Sequence, residues 1–407
     1  MKKTLMSLSL LLIVVLTLTG CYEWPDPIWN PDDSGLPTPT ISSVDVTELL
    51  GGIDNITITG SGFGTVADEV LVYFKKGAMV GRGRTLSTTD TELIVEAPAT
   101  YSDSLEIWID RRGCFEYAKD TTNLITISKG MNTLPITPPS ALNKIAVDNG
   151  NILVAYGTSM DMLHVSDIDT VTTFSGVSFA ATQPVLSLKM KGSDVYYTLS
   201  YYMVKYDGSV NRVKINSDKY PSYDFSFANN DRVYMTGLNN IYSMHHDLSN
   251  PTSALEDLDY DYKKCEVYDS KLYVSAIYTG DDTLRTNEKL ILAYPINTDG
   301  SLGTGETIIN WTEDFAGSEI VDIVFDTEGK MYVATKTRTP IYVIEPAAGS
   351  YADGSVKLLY PVLLKNTIFS MSWESGSYMA IITEGTDGSR TAYRLKMKET
   401  PSTSYLP

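Results

Sequence analysis

Histidine and cysteine are scarce in this chain, with three of each among 407 residues. His164, His245 and His246 are the whole histidine set. A Ser-His-Asp triad needs a positioned histidine, and no serine sits in a Gly-x-Ser-x-Gly turn. There is no Cys-x-x-Cys pair and no Cys/His cluster, so the spacing of a structural zinc site is missing. His245 and His246 follow a predicted strand. Neighbours there point to opposite faces, so they read as solvated turn residues, not as a metal pair. P-loop and dinucleotide fingerprints are also absent. Catalytic residues, metal ligands and cofactors are therefore all assigned as none. Asp-Gly pairs at 207–208, 299–300, 353–354 and 387–388 lack the spaced carboxylates of a calcium loop and read as hairpin turns.

Positive charge is in short supply too. Lys and Arg total 32 against 50 Asp and Glu, a formal net charge of −18. A chain this acidic is repelled by nucleic acid and by anionic lipid head groups, so no nucleic-acid partner is expected and a basic membrane-binding face is excluded. The acidity reads as solubility in an exposed compartment. Hydrophobic content of 43% with 20% charge describes a folded chain, and the length suffices for two or three domains with covered cores. Long apolar runs are missing apart from Leu5–Leu18, which falls short of the roughly 20 residues a membrane span needs.

That run follows Met1-Lys2-Lys3 and ends in Leu18-Thr19-Gly20-Cys21. Basic residues, a short apolar stretch and a small-residue site build a secretory signal over residues 1–20. Leu-Thr-Gly-Cys resembles the lipobox of bacterial lipoproteins. The resemblance implies cleavage before Cys21 and lipid on its sulfur and new amino group, leaving 30 basic and 50 acidic side chains, net −20. It also implies a membrane partner reached through Cys21. In the enterobacterial sorting scheme an aspartate after the cysteine favours inner-membrane retention. Tyr22 stands there instead, which points to the outer membrane of the cell envelope. Cys114 and Cys265 lie in different predicted domains, so no disulfide is expected and both read as small buried hydrophobes.

Residues 21–36 are rich in Pro and Asp and read as an extended tether. Trp24 and Trp29 within it are suited either to the lipid interface or to docking on the next domain. From Thr40, alternating runs bounded by glycines mark half-buried strands. They include Ile41–Val46, Ile56–Thr59, Val70–Phe74, Glu92–Glu96 and Leu105–Ile109. About seven strands suggest an immunoglobulin-like sandwich. Pro39-Thr40-Ile41-Ser42-Ser43-Val44, then Ile56-Thr57-Ile58-Thr59-Gly60-Ser61-Gly62-Phe63-Gly64 and Leu93-Ile94-Val95-Glu96-Ala97-Pro98, resemble the IPT/TIG domain over residues 37–129. Val46 stands where that family often has proline. The resemblance implies a spacer or interaction module and no catalysis.

Between residues 140 and 400 a period of about 40 residues recurs. Each unit has an apolar strand, a polar turn and a second strand built on an apolar or tyrosine pair. Anchors at Leu153, Tyr196, Tyr234, Tyr273, Tyr332 and Met379 are separated by 43, 38, 39, 59 and 47 residues. Repeats of that length carrying several strands indicate propeller blades. The fold class is thus all-β: an Ig-like β-sandwich followed by a six-bladed β-propeller, similar in rhythm to NHL-type propellers. The excess in the 59-residue gap falls on segments 278–288 and 297–318, which read as long loops.

Propeller ligands sit over the central channel, where the inner strands begin. By register the channel residues are Lys144, Ser187, Asp224, Lys264, Asp322 and Ser370. A slip of one residue would turn them to the other face. Their mixed charge could bind a polar ligand or satisfy itself. Tyr196, Tyr197, Tyr201, Tyr202, Tyr206, Tyr220 and Tyr223 cluster in sequence and suit either sugar stacking or core packing. The expected function is binding of a glycan or an envelope protein partner, by analogy with accessory proteins of nutrient uptake. A hydrolase or lyase with a channel-axis metal, or a purely structural envelope protein, are the alternatives.

Overall fold

The structure is a computed structural model describing residues 35–136, 142–148, 150–156, 159–167, 170–174, 184–215, 222–373 and 377–402. The signal segment, Cys21, Tyr22, Trp24, Trp29 and Tyr220 lie outside the described residues. The chain forms two compact units. Of the described residues, one takes those up to Thr47 with Asn55–Glu96 and Asp103–Thr126, and the other takes Glu48–Asp54, Ala97–Ser102 and those from Ile127 onward.

The first unit is an antiparallel sandwich. Asn55–Ser61 pairs with Thr40–Val44 on one side and with Glu92–Glu96 on the other. Met79–Thr88 joins two layers. Its first half pairs with Val70–Lys76, its second half with Glu92–Glu96, and the register shifts between Thr85 and Ser87. Alternation fills the core: Ile56, Ile58, Val72, Phe74, Leu93 and Val95 are buried, while the residues between them face outward, as a period of two requires. Gly60 is dictated by space, since a Cβ there would lie 1.8 Å from the Thr40 carbonyl oxygen. Cys114 is half-buried and its thiol donates to the Pro37 carbonyl at 3.3 Å. The expected burial therefore holds for Cys265 and not for Cys114; both are free thiols.

The second unit is a propeller of antiparallel sheets. Among the described residues it has four four-stranded sheets and one six-stranded sheet. The inner strands are Leu142–Asp148, Ser187–Lys191, Ser222–Ala228, the C-terminal part of Thr252–Tyr268, Ile320–Phe325 and Thr367–Trp373. Each packs beside the next, and the last packs beside the first, so the inner strands follow one another in a closed cycle. The six-stranded sheet arises because Arg232–His245 and Thr252–Tyr268 run on through their turns. The last sheet takes Met131–Thr133 as its fourth strand, paired with Tyr393–Leu395.

The packing follows from paired apolar residues on the second strands. Tyr196 and Tyr197 point to opposite faces. Tyr197 packs with Leu153 and Ala155 of the preceding sheet, and Tyr196 packs with Phe225 and Phe227 of the following one. The same arrangement closes the circle, where Ala380 and Ile382 meet Ile145 and Val154. A sheet buried on both faces needs such double apolar positions. A side chain of this size contributes about 1.5–3 kcal/mol when buried.

Three sequence expectations change. Segment 297–318 is not a loop throughout. It contains the strand Glu306–Asn310 and a helical turn, Trp311–Asp314, because Ile309 and Trp311 bury and Trp311 stacks on Phe315 at 4.0 Å between ring centroids. Asp353-Gly354 lies inside the strand Ser350–Leu358, whereas the other three Asp-Gly pairs are turns with glycine φ of 101°, 86° and 76°. His245 and His246 are half-buried and converge on Asp231 at 3.2 and 3.0 Å, with Lys191 2.8 Å from His246. They form a charged cluster and are not simply solvated.

Candidate functional site

The six channel residues expected from register line one cavity. In five of the six inner strands the pairing register shifts immediately before that residue: at Leu142/Lys144, Ser222/Asp224, Tyr262/Lys264, Ile320/Asp322 and Ile368/Ser370. Each shift is a β-bulge, which places one extra residue against the partner strand and re-aims the next side chain. In the second inner strand Ser187 pairs with Thr198 without a shift. Two residues further along, Lys189 and Glu266 line the same cavity, with Phe325, Trp373, Pro401 and Ser402 at its far end.

Several channel side chains are committed to neighbouring strands. Ser187 donates its hydroxyl to Asp224 Oδ1 at 2.5 Å, and the Cys265 N–H donates to Asp224 Oδ2 at 3.1 Å. The Val267 N–H donates to Ser226 Oγ at 2.9 Å. The N–H groups of Ile145 and Val147 donate to the hydroxyls of Ser370 and Ser372. An inner strand exposes an edge of unpaired N–H groups, and polar channel residues of the adjoining strand accept from that edge. Asp224, Ser226, Ser370 and Ser372 are therefore inter-strand links. Lys189 and Glu266 form a buried ion pair at 2.6 Å.

Lys144, Lys264 and Asp322 are different. Among the described residues neither lysine makes an ion pair, and Asp322 accepts only the N–H of Ile323 at 3.0 Å. Burial pushes Asp322 up to about 6, with the neighbouring Asp224 adding to it. Burial and the Lys264 charge push Lys144 down to about 7. Glu266 is pushed up to about 7 by burial despite its lysine partner. Burial works to raise Asp224 as well, but Lys264, Lys189 and its two donors outweigh it and hold the carboxyl below its usual range.

Lys264 also lines a second, wider groove of about 460 Å³, formed with Leu186, Tyr223, Lys263, Lys289 and Glu319. The bulges explain why it adjoins the channel. Tyr223 and Lys263 are the extra residues at their bulges, so they face the groove while Asp224 and Lys264 face the channel. The Lys263 ammonium lies 3.8 Å from the Tyr223 ring centroid. Of the other tyrosines in the sequence cluster, Tyr196 and Tyr197 are core, and Tyr201, Tyr202 and Tyr206 are half-buried.

Sequence reasoning missed Lys189 and Glu266, although both stand two residues beyond a predicted channel residue and share its face. It also missed Lys289 and Glu319, which reach the groove from segments distant in sequence. Among the described residues, the carboxylates whose oxygens lie within 4.8 Å of one another in a group of three are Asp326, Glu328 and Glu399, and the single ammonium group of Lys330 lies 3.9, 2.7 and 2.9 Å from them. Asp224 and Asp322 do not belong to such a group.

Residues 39–128 match the IPT/TIG domain. That part of the chain is an IPT/TIG domain, in agreement with the sandwich. No curated protein matches the chain. Several solved structures are similar. A Bacteroides thetaiotaomicron protein of unknown function is 15% identical, with 90% of this chain and 99% of that one covered at a TM-score of 0.46. An auxiliary nutrient binding protein from the same organism is 11% identical, with 88% and 97% covered and a TM-score of 0.46. A gluconolactonase from Xanthomonas campestris is 12% identical over 63% of this chain and 86% of that one, at a TM-score of 0.47.

Proposed function

We propose that the chain is a cell-envelope lipoprotein whose six-bladed propeller binds a glycan at the channel mouth, in the service of nutrient uptake. The observation that carries the binding reading is the groove of about 460 Å³ that opens beside Lys264. It combines an aromatic side chain, Tyr223, with several hydrogen-bonding ammonium groups, and such a mix of ring and polar groups suits a polyhydroxylated ligand. Six blades are supported by the closed cycle of inner strands. The envelope address rests on Leu18-Thr19-Gly20-Cys21, and the outer membrane on Tyr22. Glycan arrays with the soluble chain, and pull-downs from envelope extracts, test the reading. Silence on the arrays removes the glycan, and silence in both removes the binding function.

A second reading draws on the raised carboxyls. Glu266 at about 7 and Asp322 at about 6 are the kind of perturbed acids that active sites use. A hydrolase or lyase reading gives Asp322 the role of proton carrier. Glu266 is tied to Lys189, which leaves Asp322 as the accessible acid. Turnover of lactone or oligosaccharide substrates that disappears in Asp322→Asn would favour this reading over binding.

A further inference from the structure

We propose that residues 22–34 dock on the outer face of their own IPT/TIG domain, on the rings of Phe115, Tyr117 and Trp108. The inference is independent of the glycan reading, and it assigns Trp24 and Trp29 to the domain instead of to lipid.

The first argument is exposure at the point where the described chain begins. Leu36 is 44% exposed, Phe115 59% and Tyr117 47%. Lone apolar residues on a surface are ordinary, but a group of them marks a docking site. The Leu36 N–H donates to the Gly113 carbonyl at 2.7 Å, and a Cβ on Gly35 would meet the Phe115 ring at 3.0 Å. That ring therefore stands beside Gly35, to which residues 22–34 are joined. The Tyr117 ring lies 5.7 Å from the Trp108 ring, and Tyr73 is the strand partner of Trp108. Val72, Phe74, Ile107 and Ile109 fill the core, so Tyr73 and Trp108, which alternate with them, face outward.

The second argument is what residues 22–34 contain. Trp24, Ile28 and Trp29 are apolar, and Pro25, Pro27 and Pro31 stand among them. Proline fixes φ, so such a segment loses little freedom on docking, and aromatic side chains are its usual receptors. Trp29 stands six residues before Gly35 and Trp24 eleven. At about 3.1 Å per residue they reach about 19 and about 34 Å, enough to cover neighbouring rings.

The third argument is charge. Residues 22–34 carry Glu23, Asp26, Asp32 and Asp33 and no basic residue. The Lys75 and Lys119 ammonium groups lie 3.5 and 4.3 Å from the Trp108 ring centroid. Among the described residues neither forms an ion pair, and nor does the exposed Arg112. The acids of the same stretch are Asp110, Glu116 and Glu106, whose carboxylate accepts the Trp108 indole N–H at 2.9 Å. Charge is close to balanced there, so an acidic segment is admitted while the rings supply the hold. Docking turns the tether from a spacer into part of the domain.

Fluorine NMR tests this on the soluble chain beginning at residue 22, grown with fluorotryptophan, which gives one resonance per tryptophan. The synthetic peptide 22–34, labelled alike, gives the positions of the free segment. The expected result is a shift of Trp24 and Trp29 away from their peptide positions, unchanged by dilution. Phe115→Ser combined with Tyr117→Ser should return both to those positions. Thermal melts report whether that variant folds, and a second measurement leaves the face intact. Deleting residues 22–34 should move the Trp108 resonance and leave Trp311 and Trp373 in place. Trp24 and Trp29 at the peptide positions throughout overturn the docking. A shift that appears only with phosphatidylethanolamine–phosphatidylglycerol vesicles overturns it in favour of the lipid interface. A shift that fades on dilution, with a dimer on size-exclusion chromatography, overturns it in favour of the face of a second copy. None of these outcomes bears on the glycan arrays, so the two readings fail separately.

Discussion

The Ser370 hydroxyl accepts the backbone N–H of Ile145 at 3.2 Å, across 225 positions of chain. Two residues along, Ser372 accepts the N–H of Val147 at 3.0 Å. These bonds join the last inner strand to the first, where no covalent connection exists. Buried donors left without an acceptor cost about 1–3 kcal/mol. Ser370→Ala should lower the unfolding free energy by about that amount, measured by urea denaturation, and Ser370→Thr should recover part of it. A loss below about 0.3 kcal/mol would show that the bond plays no part in closure.

The strand Met131–Thr133 completes the last sheet. A chain beginning at residue 140 would lose it and expose the edge of Arg390–Lys396. Open edges recruit other strands. Such a chain should melt several degrees lower than one beginning at residue 129 and should self-associate on size-exclusion chromatography. Equal melting points would refute a closing role for this strand.

The channel makes stability depend on pH in two directions. In the unfolded chain Glu266 releases its proton near 4.5, and in the folded chain near about 7. Its contribution is therefore full below pH 4.5 and lost as the pH rises to about 7. Lys144 loses its proton near about 7 when folded and near 10.5 when unfolded, so stability recovers between those values. Each proton accounts for a slope of up to about 1.4 kcal/mol per pH unit. Glu266→Gln should flatten the acid-side slope and Lys144→Gln the alkaline one, as read from denaturant midpoints between pH 4 and 10.

The Lys189–Glu266 pair is buried, with Glu266 only 4% exposed. Removing one partner of such a pair typically costs about 3–5 kcal/mol. Lys189→Met should show a loss of that order at pH 8, where Glu266 must stay charged or take up a proton. The loss should shrink at pH 5, where the carboxyl is neutral. A pH-independent loss would mean that packing, and not charge, is what Lys189 supplies.

Cys21→Ala should move the chain from the membrane pellet to the soluble fraction, because an acidic chain has no electrostatic hold on anionic lipid. Retention in the pellet after a carbonate wash would contradict the lipid anchor.

Much of this architecture is legible in the sequence, for identifiable reasons. The double apolar positions such as Tyr196-Tyr197 mark strands buried on both faces, and their recurrence reveals the blades. Lys144, Ser187, Asp224, Lys264, Asp322 and Ser370 can be placed in one ring because each stands near the start of an apolar inner strand. What stays hidden depends on backbone detail. The bulges at Tyr223 and Lys263 leave no mark in an alternating pattern, so the groove beside the channel is invisible. The Trp311 turn is masked by the polar residues around it. The hold of Asp231 on His245 and His246 joins positions 14 and 15 residues apart across a hairpin, which strand alternation alone does not indicate.

The bulges have an evolutionary consequence. A side chain reaches the channel because the backbone beneath it is offset, whatever its chemical identity. Positions 144, 264 and 322 can therefore be rewritten without disturbing the ladder that presents them, whereas 224 and 370 are bound to their neighbours' N–H groups. The ring separates into letters that natural selection can change and letters that spell the fold. Relatives built on the same offsets would be expected to differ in the first set and agree in the second, and so to exchange one channel lining for another while keeping the same frame.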